Sequence, residues 1–238
     1  MANLRLDKYL ADMGMGTRSE VKQFIKKGQV LVNDEVVKKP EYKVSTTDDE
    51  ILCCGQKVGY TEYEYIMLNK PQGVVSATED KQDKTVLDLI TERDRKDLFP
   101  VGRLDKDTEG LLLLTNDGKL AHELLSPKKH VPKTYFVIVD GVVTSQDVEL
   151  FAEGFQVDAQ LNAKPAHLEI IEAKDKSQVL LTITEGKFHQ VKRMFQAVNK
   201  PVLYLKRVQM GNLKLDPELK LGEYRQLTEQ ELSLLRLQ

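Results

Sequence analysis

Cysteine is nearly absent: Cys53 and Cys54 are adjacent and have no companions elsewhere in the chain. Such a pair supplies neither a disulfide framework nor spaced metal ligands, and it reads most simply as strand sequence. Long hydrophobic runs are missing too. No stretch approaches the ~18 apolar residues of a membrane span, and Met1-Ala2-Asn3-Leu4-Arg5 leads into charged, helix-like sequence instead of the apolar core of an export signal. A cytoplasmic protein without a membrane partner is expected. Gly118-Lys119 and Gly186-Lys187 lack the upstream glycine spacing and the following Ser or Thr of a nucleotide-binding phosphate loop. His122, His130 and His167 are too scattered to form a ligand cluster. Neither disorder nor a fibre is indicated, because 41% apolar and 30% charged residues describe an ordinary globular chain.

A net charge of −2 offers no overall attraction to a polyanion, but charge is unevenly distributed. From Gly186 to Arg207 the basic residues Lys187, Lys192, Arg193, Lys200, Lys206 and Arg207 occur without an acid, whereas Asp216, Glu218, Glu223, Glu229 and Glu231 gather near the end. Phosphate binding depends on local potential, so a nearly neutral chain can carry a basic groove.

The N-terminal part reads as a separate module. Thr17 and Glu20 have capping-box spacing, and the helix that follows sets Val21, Phe24 and Ile25 on one face before Gly28 stops it. Its other face carries Arg18, Lys22, Lys26 and Lys27. Val30-Leu31-Val32, Asn33-Asp34 and Val36-Val37 then read as strand, turn and strand. A helix pair on a short hairpin with one basic face suits docking on folded RNA, where shape and phosphate contacts dominate. Arg5, Arg18, Lys22 and Lys26 are the expected RNA contacts.

The most constraining stretch is Gly102-Arg-Leu-Asp-Lys-Asp-Thr-Glu-Gly-Leu-Leu-Leu-Leu-Thr-Asn-Asp-Gly118. Asp105 and Asp107 lie in a charged loop that runs into Leu111–Leu114, a short apolar run closed by a turn signal and therefore a buried strand. Such a strand holds the preceding loop at fixed coordinates, as covalent or acid/base chemistry requires of a carboxylate.

That string resembles the signature of the bacterial pseudouridine synthases that act on ribosomal RNA, the RsuA family. Further blocks follow in family order: Asn69-Lys-Pro-Gln-Gly-Val-Val-Ser76, Lys133-Thr134-Tyr135, and Glu185-Gly-Lys-Phe-His-Gln-Val-Lys-Arg-Met-Phe195. The likeness covers about residues 60 to 238, and the first 58 residues resemble an S4 RNA-binding domain. The His-Gln-Val-Lys form together with that domain is most similar to the small-subunit (16S) branch.

The resemblance implies conversion of a uridine to pseudouridine: the C1′–N1 bond breaks and a C1′–C5 bond forms, with no metal and no organic cofactor. Asp105 is implied as nucleophile or base, and Lys192 as its counter-charge. The carboxylate must stay ionised while largely shielded from water, which is costly without a nearby cation. Tyr135 is implied to stack on the extruded uracil and to help in proton transfer, and Arg103 to enter the RNA stack where the uridine leaves. Lys70, His189, Gln190 and Arg193 are expected RNA contacts, with His189 alternatively a hydrogen-bonding scaffold at the start of the Lys192 helix. Asp107 matches no family role and is read as stabilising the loop. The apolar pocket wall is implied to come from about Val208 to Leu213.

Strand-like runs at Tyr65–Leu68, Leu111–Leu114, Tyr135–Val139, Val179–Ile183 and Leu203–Leu205 are interspersed irregularly with helices near Lys119–Leu125, Gln146–Ala152 and His189–Val198. Thr228 and Glu231 have the spacing to cap a last helix. The expected fold is α+β: an S4-like domain over 1–58, a linker over 59–64, and a catalytic domain over 65–238 with a mixed, mainly antiparallel sheet. The expected partner is 16S ribosomal RNA or a small-subunit assembly intermediate. Rival readings are the same reaction on 23S RNA and a non-catalytic assembly factor. A glycoside hydrolase is disfavoured because carboxylates two residues apart in one loop do not naturally flank a sugar from opposite sides.

Overall fold

The structure, a computed structural model, describes residues 3–236. They fall into two compact units, 3–64 with Thr91–Leu98, and Tyr65–Ile90 with 99–236.

In the first unit, β1 (Asn3–Arg5), α1 (Leu6–Asp12) and α2 (Arg18–Lys26) precede β2 (Val30–Val32), β3 (Glu35–Val36), β4 (Lys43–Ser45), β5 (Ile51–Cys53) and β6 (Gln56–Lys57). The capping box forms: Thr17 N–H donates to the Glu20 carboxylate at 2.7 Å, and Glu20 N–H to the Thr17 hydroxyl at 3.3 Å. The helix it starts buries Val21 and Ile25 and leaves Arg18, Lys22 and Lys26 exposed. Asn33 and Asp34 are both left-handed, φ 50° and 66°, so the β2–β3 turn twists with its strands. The sheet order is β3-β2-β5-β6, and β1 pairs separately with β4. Only Cys53 is a strand residue; Cys54, at φ 52°, makes the turn into β6.

Residues 59–64 pack within this unit, with Tyr60 donating to Asp12 at 3.1 Å. Thr91–Leu98 returns to the unit as well, an excursion that the contiguous reading of 65–238 did not include. Glu64 accepts from the Arg95 amide at 2.8 Å, and the buried Arg95 guanidinium reaches Asp97 at 2.6 Å and Asp12 at 3.7 Å.

The second unit contains β7 (Tyr65–Lys70), a 3-10 turn (Val86–Leu89), β8 (Phe99–Pro100), β9 (Glu109–Thr115), α3 (Gly118–Leu125), β10 (Lys133–Asp140) and α4 (Ser145–Glu153). Then come β11 (Phe155–Asp158), β12 (Leu161–Ala163), β13 (His167–Glu172), β14 (Lys176–Ile183), α5 (Gln190–Ala197), β15 (Val202–Met210), β16 (Leu213–Lys214), β17 (Tyr224–Gln226) and α6 (Glu229–Arg236). One nine-stranded sheet runs β13-β14-β10-β15-β9-β7-β17, with β16 on β15 and β8 on β9. Among the described strand pairs of this sheet, β15–β9 is parallel and the others are antiparallel. The fold is therefore α+β with a mixed, mainly antiparallel sheet, as the irregular element order implies.

Every residue of β9 is buried, which is why its leucines run consecutively instead of alternating. Leu111 and Leu113 join Met67, Leu120, Leu124, Leu232 and Leu235 in one core that pins α3 and α6 to the sheet; each fully buried leucine contributes about 1.5–3 kcal/mol. Asp117 ends the strand and caps α3, accepting from the amides of Lys119 at 3.1 Å and Leu120 at 3.0 Å. At Gly110 the backbone takes φ +104°, and a Cβ there would sit 2.2 Å from the Arg207 carbonyl oxygen. Only glycine lets β15 approach β9 so closely.

Candidate active site

Loop 102–108 is held from below by its own backbone and by one buried cation. Thr108 N–H donates to the Asp105 carbonyl at 3.0 Å, which closes a tight turn and turns several carbonyls inward. Lys70, at the end of β7 and with no exposed surface, fills that ring: its ammonium donates to the carbonyls of Asp105 and Thr108 at 2.9 Å each and of Pro71 at 3.1 Å. Burial pushes its pKa down to about 8, and the charges of Asp107 and Asp105 oppose that shift. Lys70 is thus not the RNA contact expected from its motif. A turn with converging carbonyls needs a buried donor more than the surface needs another lysine. Ser76 ties down the other side of the loop, donating to the Leu104 carbonyl at 2.8 Å.

Helix α5 delivers Lys192 to the loop. Its ammonium lies 3.2 Å from Asp105 Oδ2 and 2.5 Å from Asp107 Oδ1. The turn presents both carboxylates to one lysine, so Asp107 shares the counter-charge as well as belonging to the loop. The hydrogen bond from Lys192 holds the Asp107 carboxyl below the ordinary range against the opposing effect of burial. His189 Nε2 is 3.6 Å from Asp105 Oδ1. His189 precedes α5 in the left-handed region, φ 49°, and its ring stacks on Phe188 at 3.7 Å between centroids.

Asp105 opens into a recess of about 440 Å³ whose walls include Tyr135 and Lys192. Tyr135 is buried on the inner face of β10. The Asp105 side chain is 31% exposed, less sheltered than the sequence reading required, because the recess is open to solvent. The apolar lining is Leu104, Ile183, Val191 and Leu205, and not the expected Val208–Leu213 segment. There β15 has passed beyond the recess to meet β16.

The remaining expected contacts divide by exposure. Arg103 is exposed at the mouth of the recess. Gln190 is buried, accepting from the Lys187 amide at 2.9 Å and donating to Glu185 at 2.6 Å, so it braces the loop before α5 and does not reach outward. Arg193 is engaged by Asp158 through bonds of 2.8 and 2.6 Å. In the first unit Arg5 forms a forked pair with Asp7 at 3.0 and 2.8 Å, and Lys22 lies 3.9 Å from the same carboxylate. Arg18 and Lys26 are exposed on α2. Sequence reasoning passed over Phe188, which is 72% exposed beside His189; an aromatic inside a charged turn was the available signal.

Among the described residues no group of three His, Cys, Asp or Glu side chains is placed to hold a metal ion. No described helix is long and apolar enough to cross a membrane.

Comparison with known proteins gives two family matches: RNA pseudouridylate synthase over residues 64–197 and S4 domain over residues 4–51. A protein named uncharacterized RNA pseudouridine synthase from Bacillus subtilis is 51% identical over 98% of both chains. The ribosomal small subunit pseudouridine synthase A of Escherichia coli is 40% identical over 97% of this chain and 99% of its own length; that of Vibrio cholerae is 42% identical over 97% and 98%. A solved pseudouridylate synthase structure superimposes with a TM-score of 0.68 at 40% identity, covering 98% of this chain and 99% of the other.

Proposed function

Because this chain belongs to the RNA pseudouridylate synthase family, with an S4 domain at its N-terminus, we propose that it converts one uridine of 16S ribosomal RNA to pseudouridine. The observation that carries this reading is the grouping of Asp105, Lys192 and Tyr135 around one recess. The choice of small-subunit RNA rests on relatives bearing that name along nearly their whole length.

In this reading the target nucleotide leaves its helix, since the reacting C1′, N1 and C5 atoms are otherwise stacked and paired. Arg103, at the mouth, fills the space it vacates. The uracil enters against Tyr135, and Asp105 acts on it as nucleophile or base. The C1′–N1 bond breaks, the ring turns, C1′–C5 forms, the C5 proton leaves and N1 gains one, so atoms balance without redox change or a cofactor. Lys192 keeps negative charge at Asp105 affordable as RNA closes the recess and excludes water. His189 lines the recess, Arg193 follows it on α5 as a further RNA contact, and Arg5, Arg18, Lys22 and Lys26 offer the first unit's basic face to the RNA backbone or to an assembling small-subunit particle in the cytoplasm.

Carbodiimide mapping of pseudouridine on 16S and 23S transcripts tests the proposal. Wild type should mark one uridine in 16S RNA, and Asp105→Asn should mark none. A mark in 23S RNA alone would move the substrate assignment to the large subunit. A mark that persists in Asp105→Asn would remove Asp105 from the chemistry. A wild type that binds ribosomal RNA yet marks nothing would favour an assembly factor.

A further inference from the structure

Beside the Asp105 recess the second unit holds a larger cavity of about 1070 Å³, which shares Arg103, Tyr135, Gly186 and Lys187 with it. Two of its wall residues are buried cations that the proposed chemistry leaves unused, Lys133 at 8% exposure and Arg207 at 2%. Among the described residues the Lys133 ammonium has one acceptor, the Val131 carbonyl at 2.9 Å. Arg207 Nε donates to the Leu111 carbonyl at 2.8 Å, while its Nη2 is buried and has no hydrogen-bond partner among the described residues.

Lys164, Lys187 and Arg103 add positive charge around the cavity. Its one acid, Glu185, is already engaged: Oε1 accepts from the Lys164 amide and from Gln190, and Oε2 lies 3.5 Å from Lys187. Buried cations with unspent donors and no free counter-anion are costly unless an anion completes them. Burial and the nearby Arg207 charge push the Lys133 pKa down to about 8, consistent with a site of positive potential.

Strand geometry relates this cavity to the reaction. Lys133 and Tyr135 are two residues apart on one face of β10, and Tyr135 lies opposite Arg207 in the β10–β15 register. A base resting on Tyr135 therefore sits beside the cavity that Lys133 and Arg207 line.

We propose that this cavity is a phosphate subsite in which Lys133 and Arg207 grip a backbone phosphate adjoining the target uridine. It rests on the RNA-modifying reading above and deepens it, by placing the sugar-phosphate backbone on the β10–β15 side of Asp105.

Two arms on the full-length protein test it. In the first, thermal melting is compared in inorganic phosphate and in chloride at matched ionic strength. Wild type should be stabilised by phosphate; Lys133→Met, which keeps most of the side chain and removes its charge, and Lys164→Ala at the exposed rim should each be stabilised less. In the second, 16S fragments carry a single neutral methylphosphonate linkage at each position around the target. One linkage should weaken wild-type binding by about tenfold, the scale of one charge-assisted hydrogen bond, and leave Lys133→Met binding changed less than twofold. Lys133→Met should also lower the salt-dependence slope by about 1.

Equal sensitivity of wild type and Lys133→Met at every linkage would overturn the subsite. Phosphate stabilisation without any sensitive linkage would mean that the cavity takes free phosphate, and would likewise overturn it. If wild type modified no RNA while phosphate still stabilised it through Lys133, the enzymatic reading would fall separately from the cavity's affinity for anions. Should Lys133→Met fail to fold, Lys133→Gln, which removes the same charge and keeps a polar end, carries both comparisons.

Discussion

Replacing Lys70 by Met removes one ammonium and keeps the buried volume nearly constant, so the effect isolates the ring of carbonyls beneath the catalytic loop. The three short bonds, to Asp105, Thr108 and Pro71 at 2.9, 2.9 and 3.1 Å, are lost together with a long one to the Lys106 carbonyl at 3.5 Å, and the short ones dominate. Hydrogen bonds to a charged group contribute about 1.5–3 kcal/mol each, for a gross loss of roughly 5–9 kcal/mol. Against this, methionine relieves the cost of burying the charge. The fall of the Lys70 pKa from 10.5 to about 8 sets that relief at about 3 kcal/mol. The net destabilisation is therefore roughly 2–6 kcal/mol, concentrated on the turn that carries Asp105. Native-state hydrogen exchange reads both parts: amides of β7 and β9 should lose protection by that amount, and Thr108 N–H, bonded to the Asp105 carbonyl, should open at least as far. Single-turnover pseudouridine formation should slow at least tenfold, while RNA affinity changes less than threefold. Unchanged protection together with a tenfold loss of RNA affinity would refute this reasoning and restore Lys70 to the RNA surface.

Gly110→Ala combines a Cβ 2.2 Å from the Arg207 carbonyl with a φ of +104°, and should cost about 2–5 kcal/mol; a thermal midpoint equal to wild type would show that β15 can give way. Lys192→Met leaves Asp105 and Asp107 without their shared cation. It should lower kcat about 100-fold with RNA affinity within threefold, and steady-state kinetics showing the loss entirely in KM would contradict that role. Lys133 and Lys70 both titrate near 8 when folded against 10.5 ordinarily, so between those values the folded chain binds fewer protons than the unfolded chain. Stability from these groups rises with pH across that window, by roughly 2–3 kcal/mol for each lysine. The thermal midpoint of wild type relative to Lys133→Met should accordingly increase from pH 7.5 to 9.5, and a constant difference would show that Lys133 is not held in a depressed state.

What was legible in the sequence follows from how local each signal is. Leu111–Leu114 announced a strand because four consecutive apolar residues suit an element covered on both faces, and all of β9 is buried. Thr17–Glu20 and Thr228–Glu231 announced helix starts because a capping box is complete within four residues. Strands β11 to β13 gave no comparable signal: they are short, β11 buries no residue fully, and β13 places Glu169 and Glu172 among its apolar residues. Asp105 and Lys192 could be paired from motifs 87 positions apart, but the motifs say nothing of backbone direction. The fate of Lys70 therefore stayed hidden, since it depends on carbonyls that point inward only once the 105–108 turn has closed. The same holds for Gln190, whose role depends on where the backbone of Lys187 turns. A lysine in an RNA-binding family invites an electrostatic reading, yet an ammonium is also the most compact way to satisfy several buried carbonyls at once. Which role wins is decided by unpaired backbone groups, and a sequence does not list them.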